Sequence, residues 1–402
     1  MRYDNRSLLD LLDEGTAYGV YVSDEELKKN SDDLNRVFKE LEIKAKVVKF
    51  YGGPGFSEYR VSFNDPDIYE IIESRIDEIR SSMNVSYLRI INERRYGFRL
   101  REMTIEMANK EVRPVKIKDF FNDFRFRVSS MTIPLGGGTN RNYVMNLCDN
   151  LLVGGSSSEE VSGFIDSTLL SLISSLAPSD LKLILAGSKI CDLKVYEGLP
   201  HLAKPMIKTR AGFIKMLDWL SKEIDKRYEF YLENGTRSFI DLHRSARFTR
   251  RKMMPRILVV ISDLKFYLGD GSDDVTGKLS KLIIRGKNAG VNFLIATTDL
   301  TDEVLVPELK DLIDSRVAFK VKDIDESKCI LGLDTAIELI GKGDLIYSTP
   351  SDTYKVQGVE VSPEELLRVT ECIREKKEEL YQERPPLLRR KLEEAREDNM
   401  TR

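Results

Sequence analysis

A parallel β-sheet covered by helices on both faces, preceded by a small α+β domain, is the fold this sequence predicts. Two observations carry that expectation. From Leu151 onward, short apolar runs alternate with helical periodicity: LLVGG, LKLILAG, RILVVIS, VNFLIATT and SRVAFKV are separated by helices expected over 160–176, 211–233, 274–287 and 302–313, and GDLIYST follows. Nearly continuous apolar strands joined by helical crossovers are buried on both faces and run parallel. Before that region the rhythm differs. Leu34, Val37, Phe38 and Leu41 recur at helical spacing, and two alternating runs flank Gly52-Gly53-Pro54-Gly55 as a pair of strands. PDIYEIIESRIDEIRSSM reads as one amphipathic helix, and VSYLRIINERRYGFRLREM as further strands. The expected organisation is an N-terminal segment (1–28), a small α+β domain (29–138), the parallel-sheet domain (139–362) and a charged helical tail (363–402).

Composition narrows the function. The 402 residues are 41% hydrophobic and 32% charged, ordinary for a globular chain. No apolar run approaches the roughly 20 residues of a membrane span, and no secretory signal is visible, so a cytosolic location without a direct membrane span is expected. Two histidines, His201 and His243, and four scattered cysteines argue against a histidine metal centre, a Ser-His hydrolase or a zinc site, and no metal is expected. A formal net charge of −3 gives no overall sign of nucleic-acid binding, so any such surface must be local.

The stretch LLVGGSSSEEVSGF has the layout of a phosphate-cradling loop: apolar strand, glycine turn, helix start. It contains no lysine. The plain reading is a turn with Ser157 or Ser158 as N-cap and glutamates complementing the helix dipole. HRSARFTRRKMMPR, before a core strand, holds Arg244, Arg247, Arg250, Arg251, Lys252 and Arg256 without an acid. Lys278, Lys281 and Arg285 fall on one helix face. Arg247, Arg250, Arg251, Lys252, Lys281 and Arg285 are the candidates for phosphate contact with duplex DNA; a solvated surface is the competing reading. Tyr196 and His201 are expected to pack a turn.

Taken together and in order, several segments resemble the FtsK/SpoIIIE family of DNA translocases. KVYEGLPHLAKPMI is similar to the segment after the family's second core strand. EIDKRYEFYLENGTRSF is similar to its Glu-Met-x-x-Arg-Tyr helix and following Gly-x-Arg-x element, and GKGDLIYSTP to its Gly-Met-Gly-Asp turn. The resemblance spans roughly residues 29–370. It implies a RecA-like, P-loop-type motor domain behind a small ring-forming domain.

It also implies where the chemistry should be, and there the sequence departs. The family's Gly-Thr-Thr-Gly-Ser-Gly-Lys-Ser is matched by Gly155, Ser156, Ser157, Ser158, Glu159, Glu160, Val161 and Ser162. Val161 stands for the lysine that neutralises the phosphates. Glu159 and Glu160 add negative charge; at ~5 Å and an effective dielectric of ~20 each carboxylate–phosphate pair costs roughly 3 kcal/mol. Ser262 and Asp263 replace the metal-orienting Asp and water-activating Glu, and Thr298 and Asp299 replace a phosphate-sensing Gln and its Arg. The expectation is therefore a vestigial nucleotide loop and no catalytic residues. No cofactor is expected, with ATP and magnesium required only if the chain is active. It would be a structural or regulatory subunit partnering itself or an active FtsK/SpoIIIE-like motor, with duplex DNA as a candidate ligand. The alternatives are an active ATP-dependent double-stranded DNA translocase and a secretion- or conjugation-type motor relative.

Overall fold

The computed structural model describes residues 6–15, 21–91, 101–121, 131–139, 141–188, 193–249, 254–269 and 274–376. Ser23 opens the first long helix, Asp24–Glu40. Its hydroxyl accepts from Glu26 N at 3.2 Å, and Asp24, Glu25 and Glu26 complement the dipole in the first turn. Leu27, Leu34, Val37 and Phe38 form its buried stripe against a four-stranded antiparallel sheet. The strands are β1 (Ala45–Gly52), β2 (Phe56–Phe63), β3 (Leu88–Ile91) and β4 (Glu102–Ala108), in the spatial order β1-β2-β4-β3. The segment read as one amphipathic helix is two, Asp67–Ser74 and Ile76–Met83. The chain bends at Arg75, whose φ is −108° and whose guanidinium donates to Leu41 O at 2.8 Å.

The second sheet has nine strands. β5 (Thr132–Gly137) and β6 (Asn142–Asn146) form a hairpin; β7 (Leu151–Gly154), β8 (Leu181–Ala186), β9 (Arg256–Ile261), β10 (Val291–Thr297) and β11 (Ser315–Ala318) are the apolar runs; β12 (Asp344–Ser348) and β13 (Thr353–Gly358) complete it. The spatial order is β6-β5-β13-β12-β11-β7-β10-β9-β8. Strands β11, β7, β10, β9 and β8 run parallel, and the other four extend the sheet in antiparallel fashion. Alternate residues of the parallel strands feed two cores. Leu151, Val153, Leu183, Leu185 and Val260 face the helices Ser158–Ser175 and Pro363–Glu375. Leu152, Ile184, Val259, Ile261 and Ile295 face Arg210–Glu233 and Val275–Ala289. Each such buried aliphatic side chain contributes about 1.5–3 kcal/mol.

Two further expectations need correction. The boundary at 138 falls inside the large sheet, because β5 pairs with β13 through Gln357↔Gly137. The helix expected over 302–313 is a single turn, Pro307–Lys310. Pro307 lacks an N–H and holds Val306 in extended backbone, ψ 148°. The tail is helical over Pro363–Glu375, and residues 377–402 lie outside the described residues. Among the described residues no helix is long and apolar enough to cross a membrane.

Candidate functional site

β7 lies inside the run of parallel strands, between β10 and β11. Its carboxyl end runs through Gly154-Gly155 into the helix Ser158–Ser175, the position where open α/β sheets place ligands. Both glycines are explained by packing. A Cβ on Gly155 would stand 2.6 Å from Phe319 Cβ, and one on Gly154 2.6 Å from Leu300 Cδ2. Ser157 is the N-cap, its Oγ accepting from Glu160 N at 3.3 Å.

The residue at the family's lysine position, Val161, is 1% exposed and belongs to the core formed with Phe164, Ile165 and Leu169. Glu160 is half-buried, and its Oε1 accepts from Gly343 N at 2.9 Å. Burial pushes its carboxyl above the ordinary carboxylate range, against the pull of that N–H. The loop is also tied down from the other side. Ser156 N donates to Lys320 O at 3.0 Å, and Ser156 Oγ donates to Glu326 Oε2 at 2.8 Å. Ser158 and Glu159 are exposed, and Ser162 and Thr298 partly so. Beside the loop is an open cavity of about 1040 Å³, lined by Phe164, Phe319, Lys320, Lys342, Gln357 and Val359 among others.

At the ends of the neighbouring strands Ser262 is buried. Its N donates to Ala186 O at 3.0 Å, and its Oγ accepts from Ser188 N at 3.2 Å, so the side chain stitches β9 to the chain after β8. Asp263 is buried at the start of the short helix Leu264–Leu268. Asp299 forms an ion pair with Lys265 that holds its carboxyl below the ordinary range; Thr301 Oγ1 donates to it at 2.8 Å. Among the described residues no group of three or more His, Cys, Asp or Glu side chains could hold a metal ion.

The basic candidates fare unevenly. Lys281 is exposed on Val275–Ala289. Arg285 pairs with Asp225, and Lys278 with Asp218 at 2.8 Å, both acids on the neighbouring helix Arg210–Glu233, so the positive face is partly neutralised. Arg247 lies in the helix Phe239–Thr249, while Arg250, Arg251 and Lys252 fall outside the described residues. Arg256 is buried, donating to Asn292 Oδ1 at 3.1 Å. Arg227 is also buried, donating to Ala289 O at 3.1 Å and Pro255 O at 2.9 Å; together with Glu223 it makes the Glu-x-x-x-Arg element a structural brace. Tyr196 and His201 are buried, bonded to Asp166 at 2.8 Å and Leu176 O at 2.8 Å respectively.

One cluster escaped the sequence reading. Lys355 on β13 bridges Glu106 on β4 at 2.6 Å and Asp344 on β12 at 3.3 Å. Arg89 on β3 joins Glu106 at 3.2 Å and Glu338 at 2.9 Å. The side chains of Glu106 and Lys355 are 1% and 8% exposed. The cluster joins the small sheet to the large one. The only sequence signal was Gly341-Lys342-Gly343-Asp344, read as a landmark and not as an ion site.

An interior parallel strand leading through a glycine turn into a helix, in the order β11-β7-β10-β9-β8, defines a P-loop-type ATPase fold preceded by a small antiparallel domain. The chain belongs to the FtsK/SpoIIIE family: the family model matches residues 121–342, and the FtsK alpha domain model matches residues 8–109. Over 395 residues it is 28% identical to the DNA translocase FtsK of Bacillus cereus, covering 93% of this chain and 48% of that protein. It is 25% identical to the DNA translocase SpoIIIE of Bacillus subtilis over 395 residues, covering 93% and 49%. The chain thus spans about half the length of these relatives. Among solved structures it is similar to the pCW3 conjugation coupling protein TcpA, with a TM-score of 0.57 and 17% identity, covering 86% of this chain and 99% of that one. It is also similar to the cytoplasmic domain of the type VII secretion ATPase EccC from Thermomonospora curvata, with a TM-score of 0.54 and 19% identity, covering 61% and 31%.

Proposed function

We propose that this chain is a FtsK/SpoIIIE-family subunit that neither binds nor hydrolyses ATP and acts as a structural or regulatory partner of itself or of an active motor, with duplex DNA as its candidate ligand. The observation that carries the reading is Val161: the side chain at the lysine position is packed into the core beneath the loop and has no charge to offer a phosphate. Glu160 supports it, because its carboxylate already uses Gly343 N–H and would repel a phosphate brought to the same helix start. Ser262 is occupied in a backbone contact, and Asp263 is one methylene shorter than the family's glutamate. These residues do not fit a nucleoside triphosphate with magnesium.

The test is calorimetric titration of the full chain with Mg-ATP to millimolar concentration, with hydrolysis measured with and without duplex DNA. No heat of binding and no turnover are expected; saturable binding overturns the reading. Duplex binding is tested in the same preparation by anisotropy across a salt series. The reading expects affinity that is independent of sequence and falls with salt. No duplex binding at 50 mM salt, roughly the low end where phosphate contacts are strongest, would leave only the scaffold role.

A further inference from the structure

We infer that Glu160 and Lys355 are the two ends of an internal latch that holds the small domain against the nine-stranded sheet in one arrangement, with no ligand required. The latch begins at a glutamate where phosphate-binding loops have a glycine, and a glycine could not make its contact. Glu160 Oε1 accepts from Gly343 N at 2.9 Å. The turn it grips is unusual. Gly341, Lys342 and Gly343 have φ of 86°, 58° and 85°, three successive left-handed residues, of which only the two glycines adopt that conformation without strain. Such a turn persists where its surroundings over-determine it. Here Gln357 Nε2 donates to Lys342 O at 2.6 Å, and Gly358 N donates to Gly343 O at 2.7 Å. Ile340 N donates to Asp344 Oδ2 at 3.1 Å.

The same Asp344 oxygen faces Lys355 at 3.3 Å, and Lys355 reaches across the domain boundary to Glu106 at 2.6 Å. Its ammonium stands 4.9 Å from the ring centre of Phe56 and 4.7 Å from that of Tyr87, both in the small domain. Cation–π attraction in a desolvated site adds to the ion pairs. Lys355 and Glu106 form a buried ion pair across the boundary, and removing either leaves the other uncompensated, so the domains seat in the arrangement that places Lys355 against Glu106. The P-loop helix, the left-handed turn and the small sheet are therefore one mechanical unit.

The latch is made of the chain's own atoms and goes beyond the no-nucleotide reading, and the experiment separates the two. Amide hydrogen exchange is measured on the full chain for the parent, Glu160→Ala and Glu160→Gln, each with and without Mg-ATP. Glu160→Ala leaves the buried ions intact and touches a half-buried helix start, so the chain still folds. Exchange at Gly343 and Asp344 is expected to rise at least tenfold. At β3 and β4 in the small domain it should rise severalfold, with β9 and β10 unchanged. Glu160→Gln keeps an acceptor oxygen and should restore most of the protection. Unchanged exchange in β3 and β4 in the Ala variant, or an equal rise in every strand, overturns the latch. A double-mutant cycle between Glu160→Ala and Glu106→Gln gives a second readout; strictly additive unfolding midpoints refute the coupling. A change in the parent's pattern on adding Mg-ATP would instead overturn the no-nucleotide reading, leaving the Ala comparison to decide the latch.

Discussion

Replacing Asp344 with Asn should stabilise the chain at neutral pH and remove a pH dependence between about 4 and 6. Asp344 is buried on β12, and desolvation lifts its carboxyl to about 6 from 3.8, although Lys355 on β13 and the Ile340 N–H both favour the ionised form. The other charged groups around it are Glu106 on β4, Arg89 on β3 and Glu338 in the turn before β12; with Asp344 ionised the cluster has three carboxylates for two cations. A carboxyl raised in the folded state contributes stability that is fully present below the unfolded value and is lost as pH rises through the folded value. A shift of about two units corresponds to about 3 kcal/mol lost between pH 4 and pH 7.

His201 acts in the opposite direction over an overlapping range. It is buried neutral, its Nε2 bonded to Leu176 O at 2.8 Å, and desolvation lowers its pKa to about 4. Stability from that group is present above about 6.5 and lost as pH falls toward 4, again by about 3 kcal/mol. The two largely cancel in the parent, so its own curve conceals both. The assay is urea unfolding followed by the fluorescence of Trp219, at intervals from pH 4 to 7.5, for the parent and Asp344→Asn. The difference should open from near zero at pH 4 to about 3 kcal/mol in favour of the variant at pH 7, and the variant alone should lose stability as pH falls. Parallel curves, or a variant less stable than the parent at pH 7, would refute the argument that burial outweighs Lys355 at this site.

Other outcomes follow from residues already placed. Val161→Lys, restoring the family's residue alone, puts an ammonium into a core position and should cost about 3 kcal/mol or more in urea unfolding without creating ATP binding in calorimetry. Arg227→Met deprives Pro255 O and Ala289 O of a buried donor; a loss of about 2–4 kcal/mol is expected from its unfolding midpoint. If duplex DNA binds, Lys281→Ala should lower the slope of log K against log salt by about 0.9, as read by anisotropy. Arg285→Ala should lower it by less, because Asp225 already partners that guanidinium.

Much of the architecture is readable from periodicity. Leu151–Val153, Leu181–Ala186, Arg256–Ile261 and Val291–Thr297 are strands because nothing in them needs solvent, and their helical connections leave no other sheet to join. β5, β6 and β13 escape for the opposite reason. MTIPLGGG and TYKVQG are short and rich in glycine or polar residues, and the β5–β13 pairing joins residues more than 200 apart, so tertiary pairing decides that they are strands of this sheet. The site divides in the same way. Val161 and Glu160 stand out against a phosphate loop at sight. That Glu160 bonds to Gly343 and not back to its own helix start depends on a turn 183 residues away, and no local pattern carries that. Lys355 reads as an ordinary polar strand residue until the small sheet is brought beside it.

The pairing of β5 with β13 sets an order of events on the ribosome. Every strand of the four-stranded sheet has been synthesised by Ala108, whereas β13, one of the two neighbours of β5 in the nine-stranded sheet, is complete only when Gly358 emerges. At about 5–20 residues per second, roughly 250 further residues take about 12–50 s, long compared with the formation of a hairpin. Through that interval Glu106 waits without Lys355, hydrated on a surface that later becomes an interior, and Thr132–Gly137 presents a strand edge open to other chains. The last strand to appear closes both at once. Truncations just before residue 353 should therefore be held back by chaperones as a nascent-chain species, while those ending near residue 120 should release a small domain whose own sheet is already complete.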